Sequence, residues 1–78
     1  MKSEAQLKIL AISAAVKKDK SAREVAKINF DAYNAGTSPS VTIDVIGDKQ
    51  NYRVLIDPQS GKVASVTPRE KPRETGRL

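Results

Sequence analysis

Acid–base or metal chemistry in this chain of 78 residues would rest on nine carboxylates, because the sequence contains no cysteine and no histidine. Thiolate metal sites, disulfides, a cysteine nucleophile and the usual acid–base group at neutral pH are therefore excluded. Two carboxylates have structural roles instead. Asp57 opens a turn, where its side chain is expected to accept a hydrogen bond from the backbone two residues on. Asp44 is expected to form a cross-strand ion pair with Arg53.

Glycines and hydroxyl side chains do not complete a reactive group either. Gly47 and Gly61 are isolated turn glycines without the spacing of a phosphate-binding loop. Residues 57–61 lack the repeated aspartates of a calcium loop, and Ser60 has no histidine to activate it. We therefore predict a non-enzymatic protein with no catalytic, cofactor-binding or metal site and no small-molecule substrate.

Basic residues form a second set that could do chemistry, by contacting phosphate groups. Fourteen basic residues against nine acidic ones give a net charge of +5, which favours acidic partners. The candidate phosphate contacts lie between two predicted helices and near the C-terminus: Lys17, Lys18, Lys20, Arg23, Arg69, Lys71, Arg73 and Arg77. Residues 21–27 (SAREVAK) are similar to the second helix of a helix-turn-helix protein, but no recognition helix follows. Nucleic-acid binding is therefore the alternative function.

The spacing of apolar residues changes at Gly36 and divides the chain into two parts. Before Gly36 the apolar residues recur every three to four positions, as in helices, and after it they alternate, as in strands. Capping-box patterns that begin at Ser3 and Ser21 predict helices over residues 4–18 and 22–35. A single long helix through Asp19 is the alternative, and the second capping box argues against it.

The alternating part predicts three antiparallel strands over residues 40–46, 51–57 and 62–66, the last ended by Pro68. Together with the helices they make an α+β fold, with two helices packed on a three-stranded meander. The Val41 and Tyr52 series should face the helices. Residues 1–66 are thus predicted to form one domain. Residues 67–78 are polar and rich in charge and proline, which predicts a disordered basic tail.

The first predicted helix has apolar residues around most of its circumference. Such a helix is normally buried on more than one side. It is either wedged between the sheet and the second helix, or it covers a second copy or a partner protein. The predicted contact stripe is Leu7, Leu10 and Ala14. The residues predicted to face the core are Ile9, Ile12 and Val16, and the reverse assignment is open.

The predicted function is therefore a small protein-binding module, an adaptor, inhibitor or regulator that self-associates through the first helix. The apolar run of residues 7–16 is too short to cross a membrane. Glu4 before this run and the charged residues 17–20 after it differ from a signal peptide. We accordingly expect a cytoplasmic protein that has a protein partner, a second copy in particular, and no membrane partner.

Two segments near the middle of the sequence carry a family resemblance. Residues 52–57 (YRVLID) and 60–63 (SGKV) resemble the closing hairpin of PepSY-type domains. The resemblance is confined to these residues of the hairpin. It implies a helix paired with a small antiparallel sheet, and a role in the inhibition or regulation of other proteins.

Overall fold

The computed structural model describes residues 1–71, which fold into one helix packed on one face of a four-stranded antiparallel sheet. The elements in chain order are α1 (Glu4–Lys18), β1 (Glu24–Asn29), the short α2 (Asp31–Asn34), β2 (Val41–Ile46), β3 (Asn51–Ile56) and β4 (Val63–Arg69). The strands lie in the order in which they occur in the chain. The predicted α+β class is confirmed, whereas the prediction of two long helices and three strands is wrong in detail.

The helix α1 begins and ends at the predicted residues. The Ser3 hydroxyl accepts from the backbone N–H of Gln6 at 3.2 Å, and the Gln6 side chain accepts from the Ser3 N–H at 3.0 Å. At the other end Asp19 is extended, so the helix stops, and its N–H donates to the carbonyl of Ala15 at 2.9 Å. Local capping chemistry therefore fixes the start of α1.

The predicted second helix over residues 22–35 is absent. Its first part forms β1, an edge strand paired with β2, and its last part forms only the single turn of α2. Ser21, the predicted helix cap, instead bonds to Asp19 before it and to the turn between β2 and β3. Its hydroxyl donates to the Asp19 carboxylate at 2.7 Å and accepts from the Asp48 N–H at 2.9 Å.

A β-bulge explains why β1 has the apolar spacing of a helix. Val25 pairs with Val45 and Ile28 pairs with Ile43, while Ala26 lies between them without a partner in β2. Paired residues of antiparallel strands share one face of the sheet. The extra residue therefore turns Val25 and Ile28 to the same face, although they are three positions apart.

The strands β2 and β3 end within one residue of their predicted bounds. Their buried residues alternate and face α1, as predicted: Val41, Ile43, Val45, Tyr52, Val54 and Ile56. On the opposite face Arg53 Nε lies 3.2 Å from Asp44 Oδ1, which confirms the predicted ion pair. In the turn after β3, Asp57 Oδ1 accepts from the Gln59 N–H at 2.8 Å, also as predicted.

The strand β4 continues beyond its predicted end, through Pro68 to Arg69. Proline is tolerated here because β4 is an edge strand that pairs only with β3. Residues 67–69, predicted to begin the disordered tail, are therefore part of the sheet. Lys71 also contacts the domain, since its Nζ donates to Asn51 Oδ1 at 3.2 Å. The remainder of the predicted tail, residues 72–78, lies outside the described residues.

Candidate interaction surfaces

The orientation of α1 about its own axis decides which of its apolar residues can meet a partner. Leu7, Ala11 and Ala15 recur every four positions, face the sheet and are fully buried. Leu10 and Ala14 are partly buried and pack against this core. The prediction that Leu7 contacts a partner is therefore wrong, because its side chain is 0% exposed. Two alanines on the inner face let the helix backbone approach the sheet closely, which favours this orientation.

The outer face of α1 carries two of the apolar residues that were predicted to face the core, whereas the third, Ile12, is partly buried and packs against the core as predicted. Ile9 is 64% exposed and Val16 is 36% exposed. Together with Ala5 and Ile12 they form a line along the helix that we call the outer stripe (Ala5, Ile9, Ile12 and Val16). With no second long helix in residues 1–71, the predicted wedge between two layers does not exist. Within the described part of the chain, Ile9 and Val16 are the exposed large side chains of the outer stripe, and Ile12 lies at its partly buried edge.

An open groove of about 260 Å³ continues from the outer stripe toward the turn between β3 and β4. Its lining residues are Lys2, Gln6, Ile9, Leu10, Ser60 and Gly61. Gly61 has φ +80°, and a Cβ there would lie 2.9 Å from Lys2 Cε and 3.3 Å from Leu10 Cδ1. Because Gly61 has no side chain, the turn can approach α1 closely. The groove beside Ile9 therefore has a mostly aliphatic lining.

Three of the eight predicted phosphate contacts form a cluster at one end of the molecule. Lys17 and Lys18 lie in the last turn of α1, and Lys20 follows it. Lys49 joins them from the turn between β2 and β3, because the Asp48 N–H next to it donates to Ser21. We call these four exposed lysines the basic end (Lys17, Lys18, Lys20 and Lys49). Lys49 was missed in the sequence, where no local pattern links it to the helix.

The other predicted phosphate contacts differ in their surroundings. Arg23 is engaged in an ion pair, since its guanidinium lies 2.7 Å from the carboxylate of Asp48. Arg69 pairs with Asn51 at the end of β4, on the same end of the sheet as the turn that carries Lys49. Lys71 binds the side chain of Asn51. The predicted residues Arg73 and Arg77 lie outside the described residues.

A hydrogen-bond network centred on Asp19 holds the basic end together. Asp19 Oδ1 accepts from the Ser21 N–H at 2.9 Å and from the Ser21 hydroxyl at 2.7 Å, and Oδ2 accepts from the Tyr52 hydroxyl at 2.8 Å. The side chain of Gln50 donates to the same tyrosine oxygen at 3.1 Å. These bonds link the end of α1 to β3 and to the turn before it.

The same contacts stabilise the charged form of the Asp19 carboxyl. The hydrogen bonds from the Ser21 side chain and backbone, followed by the bond from Tyr52, lower the pKa of Asp19 below its ordinary value. The positive charge of Lys49 acts in the same direction. Asp19 is therefore a structural anion whose oxygens are already used within the domain.

The described residues do not assemble a metal-binding group or a membrane-spanning element. Within residues 1–71 no three aspartates or glutamates lie close enough together to hold a metal ion. The helices of this part of the chain are too short or too polar to span a bilayer. The outer stripe and the basic end are the candidate interaction surfaces of the described residues.

Comparison of the chain with protein-family models, with curated proteins and with solved structures gives no match.

Proposed function

We propose that the protein is a small non-enzymatic protein-binding module that self-associates through the outer stripe of α1. The observation that carries the proposal is the 64% exposure of Ile9 in the middle of an apolar stripe on the only long helix of the described chain. An exposed isoleucine alone needs no explanation, but an apolar line along a whole helix favours contact with another surface.

The spacing of the outer stripe favours another helix as the covering element. Its members are separated by four, three and four positions, which is the spacing of the a and d positions in coiled coils. Ile9 and Val16 would take one of these positions, and Ala5 and Ile12 the other. Residues in this pattern stay on one side of a helix over three turns, so a partner helix can contact all four.

The symmetry of the stripe favours a second copy of this chain as that partner. The intervals of four, three and four residues read the same in both directions, so two antiparallel copies place Ile9 opposite Ile12 and Ala5 opposite Val16. A twofold axis through the middle of the stripe then makes each surface complementary to itself.

A regulatory, adaptor or inhibitory role in the cytoplasm completes the proposal. The hairpin of residues 52–63 resembles that of PepSY-type domains, and the helix and antiparallel sheet which this resemblance implies agree with the observed fold. A dimer that leaves the open face of its sheet and the basic end accessible could still bind a further partner.

Measurement of mass against protein concentration, by sedimentation equilibrium, tests the proposal. The wild-type protein is expected to approach twice the monomer mass, and Ile9→Asp to remain a folded monomer, because a carboxylate at the centre of the stripe would be desolvated. Ala32→Asp adds the same charge at an exposed position away from α1 and should still dimerise. Circular dichroism checks that each variant is folded. A wild-type protein that stays monomeric, or an Ile9→Asp variant that still dimerises, contradicts the proposal.

A further inference from the structure

The basic end is a second surface, separate from the outer stripe, and we infer that it binds the phosphate backbone of double-stranded nucleic acid. Its four lysines come from three segments of the chain: the end of α1, the loop that follows, and the turn between β2 and β3. The sequence alone favours a cluster at a junction of two helices. The fold instead builds it around a helix end and a hairpin.

Two carboxylates at this end, Asp19 and Asp48, bond to groups other than the four lysines, although the charge of Asp19 still acts on Lys49. Asp19 accepts hydrogen bonds from Ser21 and Tyr52, and Asp48 pairs with Arg23. Glu24, which lies opposite Ile46, is a third carboxylate at this end. Within residues 1–71, none of the four lysines lies within ion-pair distance of a carboxylate. Exposed ammonium groups that have no carboxylate within ion-pair distance can replace the counterions that surround a nucleic-acid backbone.

The arrangement of the segments keeps the four charges close together. The bond from the Asp48 N–H to the Ser21 hydroxyl, 2.9 Å long, fixes the turn that carries Lys49 against the loop that carries Lys20. The bond from Tyr52 to Asp19 fixes the same loop against β3. Arg69 ends β4 at this end of the sheet and extends the positive surface toward the face opposite α1.

The absence of an accessible aromatic ring at this end argues for a duplex and against base-specific binding to a single strand. Tyr52 is only 4% exposed, and its hydroxyl is bonded to Asp19. Tyr33 lies at the opposite end of the domain, where its hydroxyl accepts from Gln59. Single-strand binding proteins gain much of their affinity by stacking bases on aromatic side chains. Phosphate contacts alone suit a duplex of any sequence.

Fluorescence anisotropy with a labelled duplex of mixed sequence, measured over a range of salt concentrations, tests the inference on the full chain. Four phosphate contacts give a slope of about −3.6 for the logarithm of the binding constant against that of salt. This corresponds to about a hundredfold loss of affinity between about 50 and 200 mM salt. The variant with Lys17, Lys18, Lys20 and Lys49 all changed to glutamine should lose this salt-dependent binding.

A matched variant separates this surface from the effect of net charge. The control changes four other lysines to glutamine, namely Lys2, Lys8, Lys27 and Lys62. Both variants remove four of the five net positive charges and leave a net charge of +1. The control should keep a steep salt dependence. Equal loss of binding in both variants, or a wild-type protein that does not bind at low salt, overturns the inference.

Two further measurements test whether the ligand is a duplex or a single strand, and whether binding depends on the outer stripe. A single-stranded oligonucleotide of the same length should bind more weakly than the duplex, and tighter single-strand binding overturns the assignment. The Ile9→Asp variant should retain the salt slope of the wild type, because the outer stripe contributes no lysine to the basic end. This arm keeps a failure of self-association distinct from a failure of nucleic-acid binding.

Discussion

The orientation of α1 leads to a stability prediction that separates Leu7 from Ile9, two aliphatic residues two positions apart. Leu7→Ala should remove a side chain that is 0% exposed and leave a cavity beneath the helix. The cost of such a change in the free energy of unfolding is about 3–5 kcal/mol. Ile9 is 64% exposed, so Ile9→Ala gives up only about a third of the burial of a full side chain. This amounts to less than about 1 kcal/mol, and the higher helix propensity of alanine offsets part of it.

Urea unfolding followed by circular dichroism measures both changes. With a denaturant dependence of about 1 kcal/mol per molar, the two midpoints should differ by at least about 2 M, with Leu7→Ala the less stable. Measurements at two protein concentrations remove any contribution from self-association, because dimer dissociation makes apparent stability concentration-dependent. If Ile9→Ala costs as much as Leu7→Ala at the lower concentration, the outer stripe is not on the surface and the proposed interface fails.

Two further predictions concern the turn at Gly61 and the network around Asp19. Gly61 has a φ of +80°, so Gly61→Ala should strain the backbone and lower the free energy of unfolding by about 1–2 kcal/mol. Gly36→Ala is the control for backbone strain alone, because Gly36 has a φ of +79° but no neighbour within 4 Å. If urea unfolding shows that Gly61→Ala lowers the free energy of unfolding no more than Gly36→Ala does, then the contact of the new methyl group with Lys2 is unimportant. Because the pKa of Asp19 is lowered on folding, its contribution to stability is complete above the ordinary pKa and is lost as the pH falls through the folded value. Tyr52→Phe removes one donor, so stability should fall less steeply across this acidic range in a series of urea titrations, and an unchanged profile contradicts the assigned role.

Elements with local signals were predicted from the sequence almost to the residue. The start of α1 follows from the capping box at Ser3, which involves neighbouring residues only. The end of α1 lies at the predicted residue, although the capping box at Ser21 that separated two helices in the prediction caps no helix. The hairpin of β2 and β3 follows from strict alternation, which places one set of side chains on the buried face. The ion pair between Asp44 and Arg53 then follows from the register of that hairpin.

The β-bulge in β1 accounts for the main error in the predicted fold. A regular strand would place Val25 and Ile28 on opposite faces, but the unpaired Ala26 gives them the three-residue spacing of a helix. The capping pattern at Ser21 strengthened this interpretation. The Ser21 hydroxyl instead donates to the Asp19 carboxylate and accepts from the Asp48 N–H. Pairing with β2 is a tertiary interaction, and it overrides local helix propensity in this segment.

The candidate surfaces were less accessible to sequence reasoning than the fold. A helix with apolar residues on nearly all sides does not reveal which side meets the sheet, so Leu7 and Ile9 were assigned to the wrong sides. Lys49 lies far along the chain from Lys20, and only the bond between Asp48 and Ser21 brings the two segments together. In both cases the missing information lies in contacts between distant residues.

Both edges of the sheet carry a feature that hinders the addition of another strand. On β1 the bulge at Ala26 interrupts the regular spacing of backbone groups, and on β4 Pro68 lacks an N–H to donate. Sheets of neighbouring molecules are therefore poorly suited to merge into a continuous fibre. In the proposed antiparallel contact through α1, each copy uses the same surface as the other, so none is left for a third copy. Growth of the assembly would then stop at two molecules, even at high protein concentration.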